Sequence, residues 1–217
     1  MGVYALSNPN INLLGLLTEN KDSKFNLLDV GCYDGSNLKV LRQQYINSNL
    51  YGVDIDNTVL SYADQYGSTY CVDIEKNTLP FQHNFFDYIL CGDVLEHLHN
   101  PVLVLNNLKL FLKDDGMFII SLPNLMHVSV LFQLLNGRFV YEDAGLLDKT
   151  HIHFFTYYEI LNMFKECGLD VVDARCFKYD LSNNEIELID KLMAIKYEGV
   201  ERFMFETYQY YFLCKKS

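Results

Sequence analysis

The run Leu27-Leu28-Asp29-Val30-Gly31-Cys32-Tyr33-Asp34-Gly35, with Asp54 closing the next apolar run, is the feature that most constrains this chain. An apolar stretch broken by one acid reads as a strand buried on both faces. Gly31 and Gly35 then mark a turn where backbone approaches a ligand or takes a positive φ. Ser36 or Asn37 can cap a helix over 36–44. Asp54 ends the second strand, where a carboxylate accepts both hydrogen bonds of a ribose diol. The pyrophosphate fingerprint G-x-G-x-x-G is missing its third glycine, and G-x-x-x-x-G-K-[ST] is absent. Asp34 also places negative charge where a pyrophosphate would sit. A cationic, phosphate-free nucleoside therefore fits better than NAD or ATP.

Apolar periodicity places further strands at 50–55, 69–74, 86–91 and 117–122, separated by helices at 57–66 and 102–112. Asn57 is the expected cap of the first of these helices, and Asp114-Asp115-Gly116 reads as a turn. Strands alternating with helices predict an α/β, doubly wound, Rossmann-like sheet, mostly parallel and covered on both faces. After Pro123 the rhythm breaks. A helix at 128–135 leads into an irregular segment, and 124–150 reads as a helical lid insertion. A helix at 157–167, a strand at 169–179, a helix at 185–195 and a final strand at 207–214 complete a seven-stranded sheet whose last strand is antiparallel. A short helical pattern covers 11–17, and the whole of 1–217 reads as one domain.

The formal net charge of −11 repels phosphate backbones and anionic lipid, which counts against nucleic-acid and membrane-surface partners. No apolar run reaches the roughly 18–20 residues of a membrane span, and no basic segment followed by an apolar one opens the chain. The six cysteines form no C-x-x-C pair and sit beside apolar residues, as reduced, buried cysteines do. The expectation is a cytoplasmic protein; its oligomeric state is left open.

The third strand ends in Val72-Asp73-Ile74, where Asp73 can accept from an exocyclic amine and Ile74 can pack on a purine. Together these segments resemble the class I S-adenosylmethionine-dependent methyltransferases. LLDVGCYDG resembles that family's first motif, YGVDID its ribose motif, CVDIE its adenine motif and FDYILCGDVLEHLHNP its fourth-strand motif. The chain departs from many members at Tyr33, where they carry glycine. The resemblance implies S-adenosylmethionine as cofactor. It implies that Asp29, Gly31, Cys32 and Gly35 line the methionine part, that Asp54 holds the ribose, and that Ile55, Asp73 and Ile74 frame adenine. Cys91 and Asp93 would lie near the methionyl group. Downstream, SLPN and LLNGRFVYEDAGLLDKTHIHFFT resemble methyltransferases found with surface-polysaccharide and glycan assembly enzymes, which implies a sugar or other small-molecule hydroxyl as acceptor.

Methyl transfer to oxygen needs an aligned nucleophile and a group that removes its proton. Histidine suits that role, and His97, His99, His151 and His153 are the candidates, with His97 and His151 foremost. His151-Ile152-His153 alternates faces if extended, so one imidazole faces the site, and Asp148 can orient His151. Asp93, Glu96 and His97 form D-x-x-E-H, which shares one face if helical. With His151 it offers a divalent-metal set for an ion such as magnesium; the alternative is that Glu96-His97 only caps a helix or bonds nearby backbone. The cluster resembles metal-binding residues of small-RNA 2′-O-methyltransferases and ubiquinone-pathway O-methyltransferases. Two other functions stay open at this point: a catalytically silent module with this fold, and an RNA 2′-O-methyltransferase, which the acidic charge disfavours.

Overall fold

A computed structural model describes residues 7–217. Its strands are β1 (Asn26–Val30), β2 (Asn49–Asp54), β3 (Ser68–Cys71), β4 (Phe86–Gly92), β5 (Leu112–Pro123), β6 (Leu169–Phe177) and β7 (Gln209–Lys216). They form one seven-stranded sheet in the order β3-β2-β1-β4-β5-β7-β6. The first five pair in parallel, and β7 runs antiparallel to both its neighbours. The helices are α1 (Ile11–Leu14), α2 (Ser36–Gln44), α3 (Asn57–Ala63), α4 (Pro101–Lys109), α5 (Val128–Leu135), α6 (Tyr157–Glu166), α7 (Asn183–Ala194) and α8 (Arg202–Glu206). Among the described residues, no helix is long and apolar enough to cross a membrane.

Period-two alternation explains why the apolar residues of the first strand serve both faces of the sheet. Leu28 and Val30 join one core layer with Ile89, Phe118 and Ile120, under α4 and α6. Leu27, Leu50, Leu90 and Ile119 face the other way, against Leu13, Leu38, Leu41 and Leu60. Phe81 extends the first layer over the sheet edge, with ring centroids 4.9–5.8 Å from Tyr51, Tyr70, Phe85 and Phe86. Such aromatic contacts supply bulk without any tryptophan.

Several local expectations are corrected. Helix α2 is capped by Gly35, at φ 78, not by the side chain of Ser36 or Asn37. Asp34 takes the Ser36 amide instead, at 3.1 Å. Helix α3 starts under Asp56, whose carboxylate accepts from Thr58 N at 2.8 Å, so Asn57 is its first residue and not its cap. Strand β3 stops at Cys71, because Asp73 turns the chain by accepting Glu75 N on its side chain and Asn77 N on its carbonyl. Strand β5 runs through the expected turn at 114–116, absorbed as a register shift opposite Phe86 and Tyr88. Helix α8 was not anticipated. Cys71 and Cys176 are exposed, because they lie on the two edge strands; the other four cysteines are buried, and all six are free.

Gly35 carries the tightest steric demand of the first turn. A Cβ there would stand 2.7 Å from the backbone and side chain of Ala63 on α3. Gly35→Ala is expected to destabilise the protein by about 2 kcal/mol or more, combining left-handed strain with the clash. Urea denaturation checks this; an unchanged midpoint would contradict the packing of α3 on the turn.

Candidate active site

Strand order reverses between β1 and β4, and ligands bind at such switch points beyond the strands' carboxyl ends. A cleft of about 370 Å³ lies there. Its glycine turn is pinned by Gly31 N and Cys32 N, which both donate to Val53 O, at 2.8 and 3.0 Å. Gly31, Tyr33 and Gly35 all have positive φ, at 68°, 47° and 78°. For tyrosine that conformation costs roughly 1–2 kcal/mol, and it is held by Tyr33 N donating to Asp54 Oδ2 at 2.9 Å. The other Asp54 oxygen accepts Asp56 N at 2.9 Å. The carboxylate is thus fixed at the cleft with lone pairs to spare on both oxygens.

The structure gathers Gly31, Asp54, Ile55, Asp73, Ile74 and Asp93 around this cleft, joined by Tyr33, Val94, His97 and Leu98. Ile55 is 67% exposed, an apolar surface at the rim with no protein cover. Asp29, Cys32, Gly35 and Cys91 stand outside the lining. Asp29, Cys32 and Cys91 are buried behind it, within 4% exposure or less. Asp73 lines the cleft while its carboxylate also pairs with Lys76 at 2.7 Å. The lining holds four acids, Asp54, Asp73, Glu75 and Asp93, and no lysine or arginine. That field suits a cationic ligand and opposes a phosphorylated one.

The segment 124–150 packs beside this cleft through its own small core. Helix α5 packs Val128 against Ile189 and Phe205, and Val130 against Leu146 and Leu147. The chain then loops round to a parallel bridge between Glu142 and Asp148. It then meets the single 3-10 turn Leu95–His97, where Ile152 N and His153 N both donate to Glu96 O, at 2.9 and 3.0 Å. These backbone bonds bring His151 to Glu96, with His151 Nε2 at 4.0 Å from Glu96 Oε1. The His97 and His151 rings lie 4.8 Å apart. Of the two histidines flanking Ile152, only His151 faces the cluster; His153 Nε2 lies 3.2 Å from His99 O.

Two expectations about this cluster are corrected. Asp93 does not share a helical face with Glu96 and His97, because it takes φ 55 before the 3-10 turn. Its carboxylate is engaged by Ser121, Gln209 and Asn10. Asp148 does not orient the His151 ring; its carboxylate takes Thr150 N and Oγ1, while Leu146 O lies 3.4 Å from His151 Nδ1. Thr150 O likewise lies 3.1 Å from His97 Nδ1. A carbonyl only accepts, so both rings present Nδ1–H to backbone carbonyls of this segment.

Ligand atoms of Glu96, His97 and His151 all lie within 4.8 Å of one another, and Glu96 Oε2 is buried without a hydrogen-bond partner. Burial, then the nearby Asp93, pushes the Glu96 carboxyl well above the usual range. Burial, then His97, lowers the His151 imidazole. Beyond His151 an aromatic chain leads outward through Phe154 to Phe139 and Tyr141, at centroid spacings of 6.2, 5.9 and 5.4 Å.

A family model described as a methyltransferase domain matches residues 7–174. The chain belongs to the methyltransferase domain family. A ubiquinone biosynthesis O-methyltransferase from Rickettsia canadensis (strain McKiel) is 25% identical over 187 residues, covering 84% of this chain and 78% of that protein. A SAM-dependent methyltransferase from Archaeoglobus fulgidus has the same fold, with TM-score 0.66, 19% identity and coverage of 94% and 91% of the two chains. The [4+2]-cyclase SpnF has it too, with TM-score 0.61, 17% identity and coverage of 94% and 80%. A fold shared with a protein named a cyclase does not by itself fix a reaction. The family match and the cleft together make this protein an S-adenosylmethionine-dependent methyltransferase of the Rossmann-like class.

Sequence reasoning did not single out Ser121 and Gln209, which hold Asp93 from β5 and β7. Only a polar residue at the carboxyl end of the fifth strand, in SLPN, hinted at the first of them.

Asp29, beneath the turn, has one oxygen without a partner. Burial pushes its carboxyl up to about 8, Asn37 opposes the rise by hydrogen bonding, and Asp54 adds to it. Between the unfolded value near 4 and about 8, the unfolded chain ionises here while the native one keeps its proton. This contribution to stability is complete below pH ~4 and lost as pH rises through about 8. Thermal midpoints measured from pH 5 to pH 9 are expected to fall, and Asp29→Asn to flatten that slope. An equal slope in the variant would remove Asp29 as the cause.

Proposed function

We propose that this protein transfers the methyl group of S-adenosylmethionine to a hydroxyl oxygen of a small molecule, with Glu96, His97 and His151 on the acceptor side. One observation carries the reading: His97 lines the cofactor cleft and also packs on His151, so the cleft and the lid cluster meet at one side chain. When bound, the cofactor supplies a methyl carbon made electrophilic by a sulfonium. Transfer would join that carbon to the acceptor oxygen as its bond to sulfur breaks, sulfur keeping the electron pair, and a base of this chain would take the hydroxyl proton.

Asp54 would take the ribose hydroxyls, and Ile55 with Ile74 would sandwich the base. Asp29, Cys32, Gly35 and Cys91 would act from behind, shaping the turn. His151 is the proton acceptor in this reading, since its lowered pKa keeps Nε2 unprotonated at neutral pH. His97 orients the hydroxyl between that ring and the cleft. The acceptor would rest on the Phe154, Phe139 and Tyr141 rings, which favours a ring-shaped molecule.

The same trio fits a divalent cation, and Glu96 Oε2 supports that second reading because it is buried with no partner. Glu96, His97 and His151 would hold the ion, and their two nitrogens favour a transition metal such as zinc over magnesium. Such an ion lowers the pKa of a coordinated hydroxyl. The carbonyls on both Nδ1 atoms are the orienting partners a metal-binding imidazole uses.

For the acceptor, the name of the Rickettsia relative supports a small-molecule hydroxyl, and the likeness of the lid segment to glycan-assembly methyltransferases supports a sugar within that class. An RNA acceptor is disfavoured by the −11 charge. The whole chain would work as one domain, with 124–150 as its lid.

Calorimetry with S-adenosylmethionine should give binding that Asp54→Ala weakens by about a hundredfold, as two charged hydrogen bonds are lost. Unchanged affinity would take Asp54 out of the ribose role. On an acceptor panel of sugars, nucleotide sugars and ubiquinone-pathway hydroxyls, His151→Ala should cut kcat by about 10²–10⁴ while leaving cofactor affinity alone. If a chelator abolishes turnover and Glu96→Gln abolishes zinc binding in calorimetry, the trio is a metal site; turnover that survives chelation leaves His151 as the base.

A further inference from the structure

The segment before α1 is tied across the two loops that form the walls of the cofactor cleft. Ser7 donates to Asp34 twice, from N to Oδ2 at 2.7 Å and from Oγ to Oδ1 at 2.6 Å. Three residues on, Asn10 is held through its amide N, its Oδ1 and its Nδ2. Its amide N donates to Asn37 Oδ1 at 2.9 Å, and its Oδ1 caps α1 by accepting Leu13 N at 3.2 Å. Its Nδ2 reaches Asp93 Oδ2 at 3.4 Å. Asn37 in turn stands beside the buried carboxyl of Asp29. A hydrogen-bonded relay therefore runs from Asn37, at the start of α2, through Asn10 to Asp93 on the opposite lip. Residues separated by 27 and 83 positions in the chain are brought together by it.

We propose that Asn10 is a positioning residue for cofactor binding: it holds the first segment as a strap that fixes Asp93 against the glycine turn. The proposal rests on the cofactor reading above and goes beyond it, because Asn10 stands behind the cleft and reaches it only through Asp93. The physical need is clear from Asp93 itself. It sits in a left-handed conformation and lines the cleft, so its carboxylate direction depends on outside donors. Ser121 and Gln209 hold Oδ1 from the sheet; Asn10 alone reaches Oδ2 among the described residues. Removing that donor lets Asp93 rotate and releases the strap from one lip. A bound ligand then loses a preorganised wall and escapes faster.

The two jobs of Asn10 can be separated. Asn10→Ser keeps an oxygen that caps α1 and is too short to reach Asp93. Asn10→Asp also keeps the cap, and sets a carboxylate against Asp93. The experiment is S-adenosylmethionine affinity by calorimetry and its dissociation rate with radiolabelled cofactor, alongside the thermal midpoint of the cofactor-free protein. Asn10→Ser should keep the midpoint and weaken binding about fivefold, through dissociation. Asn10→Asp should weaken it further, with part of the loss recovered in high salt. Affinity and dissociation rate equal to wild type in both variants overturn the proposal. So does a loss of affinity that only follows a fallen midpoint, since that is a capping effect. Wild-type protein that binds no S-adenosylmethionine overturns the cofactor assignment itself, a result distinct from unchanged binding in the variants.

Discussion

Everything functional in this molecule follows from the reversal of strand order between β1 and β4. The connection leaving β1 goes to one face of the sheet, and the one leaving β4 goes to the other. Neither crosses the gap between the two strand ends, so a cleft must open there. The glycine turn fits into that gap because its first two amides are satisfied by Val53 O on the neighbouring strand, so the backbone stays paired while it curls. The same hydrogen bonds set the height at which Asp54 meets Tyr33 N. One topological fact thereby fixes a turn, an acid and the floor between them.

Charge is handled in an unusual way around this gap. The lining is acidic without a cation, and two further acids, Asp29 and Glu96, are buried each with an oxygen lacking a partner. Unpaired buried carboxyls are costly and persist where a site needs them. Asp29 is backed by Asn37 and sits behind the turn; Glu96 sits under the two histidines. In the proposed reading the two would serve opposite ends of the transfer.

Much of this was legible in the sequence for a physical reason. A strand buried on both faces leaves a continuous apolar run, and an acid at its end must be there for something other than packing. That made Asp54, at the end of β2, and the seven-stranded sheet readable. Other features depend on contacts across the chain and leave no local trace. Asp73 falls in a turn because its own side chain bonds Glu75 N, which shortens β3. Asp93 misses the Glu96–His97 face because a left-handed residue precedes a 3-10 turn where a full helical turn was expected. The rings of His97 and His151 are steered by backbone carbonyls, which no side-chain pattern can reveal.

The double backbone grip on Glu96 O has a consequence for how such a protein diversifies. The segment after β5 is anchored where it begins, by Leu125 N on Phe155 O, and where it returns, by Ile152 N and His153 N on Glu96 O. Between those anchors, residues 135–145 are exposed throughout. Substitutions there can remodel what the lid presents to the outside without shifting His151. If the proposed acceptor side is right, such a chain could drift toward new acceptors one surface residue at a time, while the chemistry it inherits stays in register.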